Sequence, residues 1–213
     1  MHILKYNIVA IALLLCCTVG FAQRKALNTA ESTALKAAIT AATKNLQSLQ
    51  SDFTQTKELS YMDNAIRSTG KLYFKAPGKI RWEYVSPTNY AVIFDGQTMH
   101  AIHDGRIKTT NLTANRRMKG LNELLIGSVQ GGNMLDESQF DITYYREKAG
   151  CAAILTPKDK SLGKYIQQVE LIFDPTSLLL TQVTLTDATG DSTRIDFANQ
   201  RKNAQVPDTL FQP

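Results

Sequence analysis

Histidine is the residue type in this chain best suited to acid–base or metal chemistry, and it is scarce. The sequence has 3 histidines, one of them in the apolar N-terminal segment. His100 and His103 lie three residues apart in a strand-like run, so their side chains should point to opposite faces of a sheet and cannot share a metal ion. Asp104 follows at a predicted turn. We expect a solvated His103–Asp104 pair there, with a hydrolase site as the alternative.

Cysteine chemistry is equally limited. Cys16 and Cys17 lie in the N-terminal segment, so Cys151 would remain alone and could form no intrachain disulfide. Between Gly150 and Ala152, it is expected to be a small buried hydrophobe, with an exposed nucleophile as the alternative. Motifs for serine nucleophiles, nucleotide phosphates and zinc are missing from the sequence. We therefore predict a protein that is not an enzyme, with no catalytic residue, metal or cofactor.

The first 22 residues have the pattern of an export signal. A single charge at Lys5 precedes an apolar run over residues 8–17, and small residues end the segment at Ala22. The run is too short to span a bilayer. A lipidated cysteine is the alternative, but Leu15 and Cys16 stand where lipoprotein processing needs small residues. We expect residues 1–22 to be a signal peptide cleaved after about Ala22.

Composition and charge describe an ordinary globular protein. The chain is 43% hydrophobic and 20% charged, with a formal net charge of +5. Residues 23–213 are enough for a single domain with a sizeable core. No run of lysine and arginine exceeds two residues, so nucleic acid is not an expected partner.

Periodicity indicates two helices among many strands. From residue 28 to about 50, apolar residues including Leu35 and Ile39 recur every three or four positions, and Asn28 with Glu31 resembles a capping box. A second amphipathic helix is predicted at residues 114–129. Elsewhere the period is two, with short turns that favour antiparallel pairing. About eleven strands are predicted, at residues 51–59, 65–75, 79–85, 90–94, 98–103, 106–112, 139–148, 151–156, 165–173, 178–187 and 192–199.

These elements predict an α+β fold, a long antiparallel sheet that must curl, with both helices on its concave face. If the sheet forms an incomplete barrel, apolar and aromatic side chains line its interior. This face is either a packed core or a ligand cavity, since both have the same alternation. The candidate lining residues are Leu72, Phe74, Ile80, Trp82, Tyr84, Tyr90, Val92 and Phe94 from strands, Leu35 and Ile39 from the first helix, and Met118, Leu121, Leu124 and Leu125 from the second.

Several stretches, in order, resemble the LolA family of periplasmic lipoprotein carriers. SDFTQ at residues 51–55 is similar to the family's F-x-Q strand. GKLYFKAPGKIRWEY at residues 70–84 is similar to its block G-x-L-x-(aromatic)-x-x-P-x-x-(apolar)-x-W. FDGQTM at residues 94–99 is similar to its D-G hairpin, and LTPK at 155–158 and DATG at 187–190 also have counterparts.

The resemblance implies an unclosed antiparallel half-barrel, with the second helix as a lid over the concave face. It further implies a monomeric carrier that binds the acyl chains of acylated lipoproteins in the periplasm. Such a carrier takes lipoproteins from an inner-membrane ABC-type release complex to the outer membrane. The resemblance does not identify the outer-membrane acceptor. By family position, Ile80, Trp82 and Val92 would line the cavity.

One position departs from the family pattern. The family often has an arginine before the proline of this block, which points inward and holds the lid when no lipid is bound. Here Ala76 precedes Pro77, so that latch is not expected. Arg81 should point to the opposite face from Trp82 and cannot replace it. The alternative function on the same scaffold is a binding protein or sensor for another lipid or glycolipid. A protein that pairs its sheet edges with a partner is a further alternative.

Overall fold

The computed structural model describes residues 24–112, 135–147 and 150–213. The predicted signal peptide and the predicted helix at residues 114–129 lie outside the described residues. In chain order, the described elements are β1 Lys25–Ala26, α1 Thr29–Lys44, β2 Ser48–Glu58, β3 Ile66–Lys75, β4 Lys79–Ser86, β5 Tyr90–Phe94, β6 Thr98–His103, β7 Arg106–Asn111, β8 Phe140–Glu147, β9 Gly150–Pro157, α2 Lys160–Gly163, β10 Gln168–Phe173, β11 Leu180–Thr186, β12 Ser192–Lys202 and a 3₁₀ turn at Asp208–Phe211.

The described strands form one 12-stranded sheet with the order β1-β8-β9-β10-β11-β12-β2-β3-β4-β5-β6-β7. Neighbouring strands are antiparallel throughout. Among the described strands, β1 and β7 are the edges, so the sheet does not close. The predicted unclosed antiparallel sheet is therefore confirmed. The strand that the sequence did not predict is β1, whose two residues are too short to show a period.

The first helix begins as predicted but ends earlier. The Asn28 side chain accepts a hydrogen bond from the Glu31 backbone, and the Glu31 side chain accepts one from the Asn28 backbone. This is the predicted capping box. The prediction of a helix to about residue 50 is wrong, because α1 ends at Lys44 and β2 begins at Ser48. Leu49 fits the helical spacing, but pairing of β2 with both β3 and β12 overrides that local preference.

An ion-paired arginine holds the N-terminal edge of the sheet. Arg24 forms salt bridges with Glu147 on β8 and Glu170 on β10. The next two residues pair with β8 as the short strand β1. Among the described residues, no helix is long and apolar enough to cross a membrane.

Apolar side chains form three clusters, two on the concave face and one on the convex face. The helix cluster packs Ile39 of α1 against β8–β11 and comprises Ile39, Leu135, Phe140, Tyr144, Ala153, Leu155, Ile166, Val169, Leu171, Phe173 and Leu180. The aromatic cluster comprises Leu46, Leu49, Phe53, Leu72, Phe74, Ile80, Trp82, Phe94, Leu112 and Leu179. The outer cluster joins Ile93 to Val206 and Phe211 of the C-terminal segment. Both concave clusters are continuous with Phe197, which packs against each of them.

Candidate functional site

The candidate strand residues come together in rows across β3, β4 and β5. Phe74 pairs with Ile80, which pairs with Phe94, and all three are buried. The next row, about 7 Å further along the strands, holds Leu72, Trp82 and Val92. Five of these six side chains belong to the aromatic cluster, and Val92 packs against it. The alternation in the sequence thus identified side chains that share one face.

Burial decreases toward one end of these rows. Ile80 is fully buried, Trp82 is 5% exposed, and Tyr84 is half-buried. Tyr84 pairs with Tyr90, and Tyr90 pairs with the exposed His103. We call the row of Tyr84, Tyr90 and His103 the open end of the aromatic cluster. The concave face therefore changes from a buried interior at Ile80 to a partly exposed rim at Tyr84, over about four residues of strand.

The open end carries a hydrogen bond and a chain of ring contacts. The Tyr84 hydroxyl donates to Gln55 Oε1 at 3.0 Å. Burial, and then the neighbouring Tyr90, raises the pKa of Tyr84, so its hydroxyl stays protonated and can donate. The Tyr84 and Tyr90 ring centroids lie 5.8 Å apart, and those of Tyr90 and His103 lie 6.3 Å apart. The rim thus presents flat aromatic surfaces rather than flexible charged side chains.

Two residues that support this site were quoted in the sequence motifs but given no role there. The Phe53 ring contacts Trp82 at 4.9 Å and Tyr84 at 5.0 Å between centroids. It lies over Gly70, where an added Cβ would come within 2.6 Å of Phe53 Cζ and 2.0 Å of the Glu83 carbonyl oxygen. A glycine inside a predicted strand is the signal that could have revealed this close approach.

The two α1 candidates lie in the other cluster. Ile39 is 1% exposed within the helix cluster, and Leu35 packs against it half-buried. The sequence had grouped both with the strand residues, because periodicity shows which face of a helix is apolar but not which part of the sheet it meets. The remaining candidates, Met118, Leu121, Leu124 and Leu125, lie outside the described residues.

A small apolar cavity marks the seam between the two concave clusters. Its volume is about 10 Å³, roughly room for one water molecule. Its lining comes from both sides of the seam, namely Ile39, Thr43, Leu49, Leu72, Phe173, Leu178, Leu179, Leu180, Phe197 and Gln200. A bound molecule larger than a water would have to separate the clusters here.

Position 76 and the nearby Arg81 lie on different faces of the sheet. Ala76 is partly buried against the aromatic cluster. Arg81 lies on the convex face, where its Nη1 donates to the Leu210 carbonyl at 3.2 Å and its Nη2 pairs with Glu83 at 3.2 Å. The prediction that Arg81 points away from Trp82's face is confirmed.

The residues considered for chemistry are dispersed. His100 contacts the hydroxyls of Thr98 and Thr109 at 3.2 and 2.9 Å. His103 is exposed and lies 3.6 Å from Asp104. Cys151 is a free, buried cysteine, as predicted. Within the described ranges, no group of three or more histidine, cysteine and carboxylate side chains could hold a metal ion.

Fold and site define a class of protein, an unclosed antiparallel half-barrel whose concave face is apolar and open at one end. A family model described as outer membrane lipoprotein carrier protein LolA matches residues 44–213. The chain belongs to this family.

Curated relatives agree with the family match. Similar chains called outer-membrane lipoprotein carrier protein include one from Chromobacterium violaceum, 26% identical over 168 residues, covering 78% of this chain and 76% of the relative. Another, from Methylococcus capsulatus, is 31% identical over 173 residues, again covering 78% and 76%.

Solved structures show the same fold at low sequence identity. An uncharacterized conserved protein from Thermus thermophilus superposes with a TM-score of 0.53 at 9% identity, covering 86% of this chain and 94% of that one. In the MucA/MucB complex of Pseudomonas aeruginosa, the TM-score is 0.50 at 15% identity, covering 86% of this chain and 61% of the other. This chain thus spans about three fifths of that matched protein.

Proposed function

We propose that this protein carries acylated lipoproteins through the periplasm toward the outer membrane by holding their acyl chains against the concave face. Membership of the LolA family and the names of the curated relatives support this function. The observation that carries it is the aromatic cluster, whose rows run from a dry end at Ile80 to an open end at Tyr84. The protein acts by binding and release, with no covalent step of its own.

The energetics of a carrier require partial rather than complete burial of the lipid. Each buried methylene contributes about 0.8 kcal/mol, so one acyl chain of about a dozen methylenes contributes on the order of 10 kcal/mol. Three fully buried chains would exceed the ceiling of noncovalent affinity and could not be released. Part of the favourable free energy of lipid burial must therefore be offset by the free-energy cost of opening the protein.

The seam is where that opening takes place. Its cavity of about 10 Å³ is far smaller than the several hundred Å³ that an acyl ligand needs. Helix α1 covers the seam, yet of its 16 residues only Ile39 and Thr43 are buried. Re-exposing one isoleucine costs about 2 kcal/mol, much less than an acyl chain supplies. The lipid displaces α1 from the seam, and α1 competes with the lipid when cargo is delivered.

Export and partners follow from this role. The N-terminal 22 residues act as the signal peptide, and cleavage after about Ala22 releases the carrier domain into the periplasm. The carrier receives cargo as a monomer from an ABC-type release complex of the inner membrane.

Cargo recovery tests the function. The tagged protein is purified from its own periplasm with a co-expressed lipoprotein, and in parallel with the same lipoprotein whose acylated cysteine is changed to serine. We expect recovery of the acylated form alone, and loss of that recovery in Trp82→Glu with native-like far-UV circular dichroism. Equal recovery of both cargo forms contradicts the proposal. If organic extracts contain a lipid or glycolipid but no lipoprotein, the alternative function on this scaffold is correct.

A further inference from the structure

Trp82 carries a buried hydrogen-bond donor that the described residues leave without an acceptor. The residue is 5% exposed, and its Nε1 has no hydrogen-bond partner among the residues that the structure describes. Its ring contacts those of Phe53 and Phe197, with centroid distances of 4.9 and 5.9 Å, and both neighbours are apolar. Leaving a buried donor unpaired costs free energy, which is why most such groups are satisfied in folded proteins.

Other buried polar atoms without a hydrogen bond have different explanations. The carboxylate oxygens of Glu147 and Glu170 form ion pairs with Arg24. The Arg81 Nε atom lies on the convex face, where the same guanidinium already bonds through its other nitrogens. In the described part of the concave face, this leaves Trp82 Nε1 and the Tyr144 hydroxyl.

The two concave donors lie in different surroundings. Tyr144 belongs to the helix cluster, where burial and then the charge of Glu137 raise its pKa to about 12. Trp82 belongs to the aromatic cluster, one row below the open end, about 7 Å along the strand from Tyr84. Of these two donors, Trp82 lies nearer to the open end, where a ligand would enter. The acceptor for its indole N–H would then be a group of the ligand.

Few groups of a lipid can accept a hydrogen bond at this depth. A hydrocarbon tail has no hydrogen-bond acceptor. In a lipoprotein, however, each acyl chain is joined to the glycerol or to the N-terminal cysteine through an ester or amide carbonyl. With that carbonyl at the level of Trp82, the tail would continue toward Ile80 and Phe74, which are fully buried. The polar remainder of the ligand would then lie at the row of Tyr84 and Gln55.

We propose that the Trp82 indole N–H donates a hydrogen bond to an acyl carbonyl of the bound ligand. This inference rests on the proposed function and deepens it. The hydrogen bond sets the depth at which the ligand lies and makes the site selective for acyl over alkyl lipids. Trp82 is thus a specificity-determining residue as well as an apolar wall.

The experiment compares two synthetic lipopeptides that differ in the carbonyl alone. One carries a diacylglyceryl cysteine with ester linkages, and the other carries the matched dialkyl ether. Because Trp82 is the one tryptophan of the chain, ¹⁵N-tryptophan labelling gives a single indole N–H signal. We expect the ester ligand to move this signal downfield and to bind about three- to tenfold more tightly than the ether.

Matched variants separate the donor from the ring. Trp82→Phe keeps an aromatic wall without the donor and should bind ester and ether equally well. Tyr144→Phe likewise removes a buried unpaired donor, but in the helix cluster, and should retain the preference for ester. If Trp82→Phe does not fold, the indole signal of the unaltered protein still decides the question.

The possible results distinguish a missing hydrogen bond at Trp82 from a missing carrier function. Binding of ester and ether with equal affinity and no downfield shift overturns the hydrogen bond while leaving the carrier function standing. A preference for ester that persists in Trp82→Phe also overturns it. Failure of both lipopeptides to bind contradicts the carrier function and, with it, this inference.

Discussion

The helix cluster and the aromatic cluster share one sheet face and differ in what covers them. The helix cluster is closed by α1, whose Ile39 packs among Leu171, Phe173 and Leu180. Around the aromatic cluster, Tyr84, Val92 and other side chains remain half-buried toward the open end. Both arise from the same alternation of apolar and polar residues. The same alternation of apolar and polar residues is therefore compatible with the closed core of the helix cluster and with the acyl-binding surface that we propose for the aromatic cluster.

Two leucine-to-alanine variants, one in each cluster, should show the largest difference between the clusters. Leu171 in the helix cluster is 0% exposed and Leu72 in the aromatic cluster is 1% exposed, so each change to alanine should lower the free energy of unfolding by about 3 kcal/mol. Only Leu72→Ala should also weaken binding of a diacyl lipopeptide, by roughly tenfold, equivalent to about two buried methylene contacts. Denaturant unfolding and ligand titration measure the two effects.

Equal loss of affinity in both variants would contradict the division into a core and a binding surface. The titrations are made without denaturant, at a temperature where both variants are folded, so that affinity is measured per folded molecule.

A glycine substitution tests the support of the aromatic cluster. In Gly70→Ala, the new Cβ meets the Glu83 carbonyl oxygen and the Phe53 ring, so we expect a loss of about 2 to 3 kcal/mol of unfolding free energy. Displacement of Phe53 should also shift the fluorescence of Trp82, which it contacts. The matched control is Gly163→Ala in α2, where an added Cβ has nothing within 4 Å. Similar costs for both variants would refute the close approach.

Removal of the α1 cap tests the cover of the seam. Asn28→Ala removes the acceptor for the Glu31 backbone N–H and should cost about 1 kcal/mol of unfolding free energy. Because a weakened α1 competes less well with the ligand, affinity for the diacyl lipopeptide should rise. Asn28→Asp keeps a capping oxygen and should change both quantities much less. A lower affinity in Asn28→Ala would argue against displacement of α1 by the lipid.

The smallest effect concerns the hairpin between β5 and β6. Burial of Asp95 opposes its charge, but hydrogen bonds from Thr98, Gln97 and His100 outweigh that penalty and lower its pKa from 3.8 to about 2. Since the folded-state pKa is depressed, ionised Asp95 stabilises the fold above about pH 4, and this is lost as the pH falls toward 2.

The Asp95 side chain is 39% exposed, so solvent screening limits the contribution to about 1 kcal/mol. The unfolding free energies of the unaltered protein and Asp95→Asn should differ at pH 5 and converge near pH 2. A difference that stays constant over this range would show that the carboxylate charge contributes nothing.

Sequence reasoning succeeded where a local pattern has one structural meaning. Alternation placed Phe74, Ile80 and Trp82 on one face, and the capping box located the start of α1. The end of α1 was misplaced because Leu49 suits both a helical stripe and the strand that the sheet imposes. Which part of the sheet Ile39 packs against could not be predicted, because periodicity contains no information on which surfaces meet.

We propose that acyl chains lie against the aromatic cluster, and quenching of Trp82 fluorescence by a brominated ligand measures that contact. Bromine quenches tryptophan fluorescence only at close contact, and Trp82 is the one tryptophan of the chain. A lipopeptide with brominated acyl chains is titrated beside its unbrominated counterpart of equal length. We predict saturable quenching by the brominated ligand alone. Binding of the brominated lipopeptide with no loss of Trp82 fluorescence would show that the acyl chains lie away from the aromatic cluster.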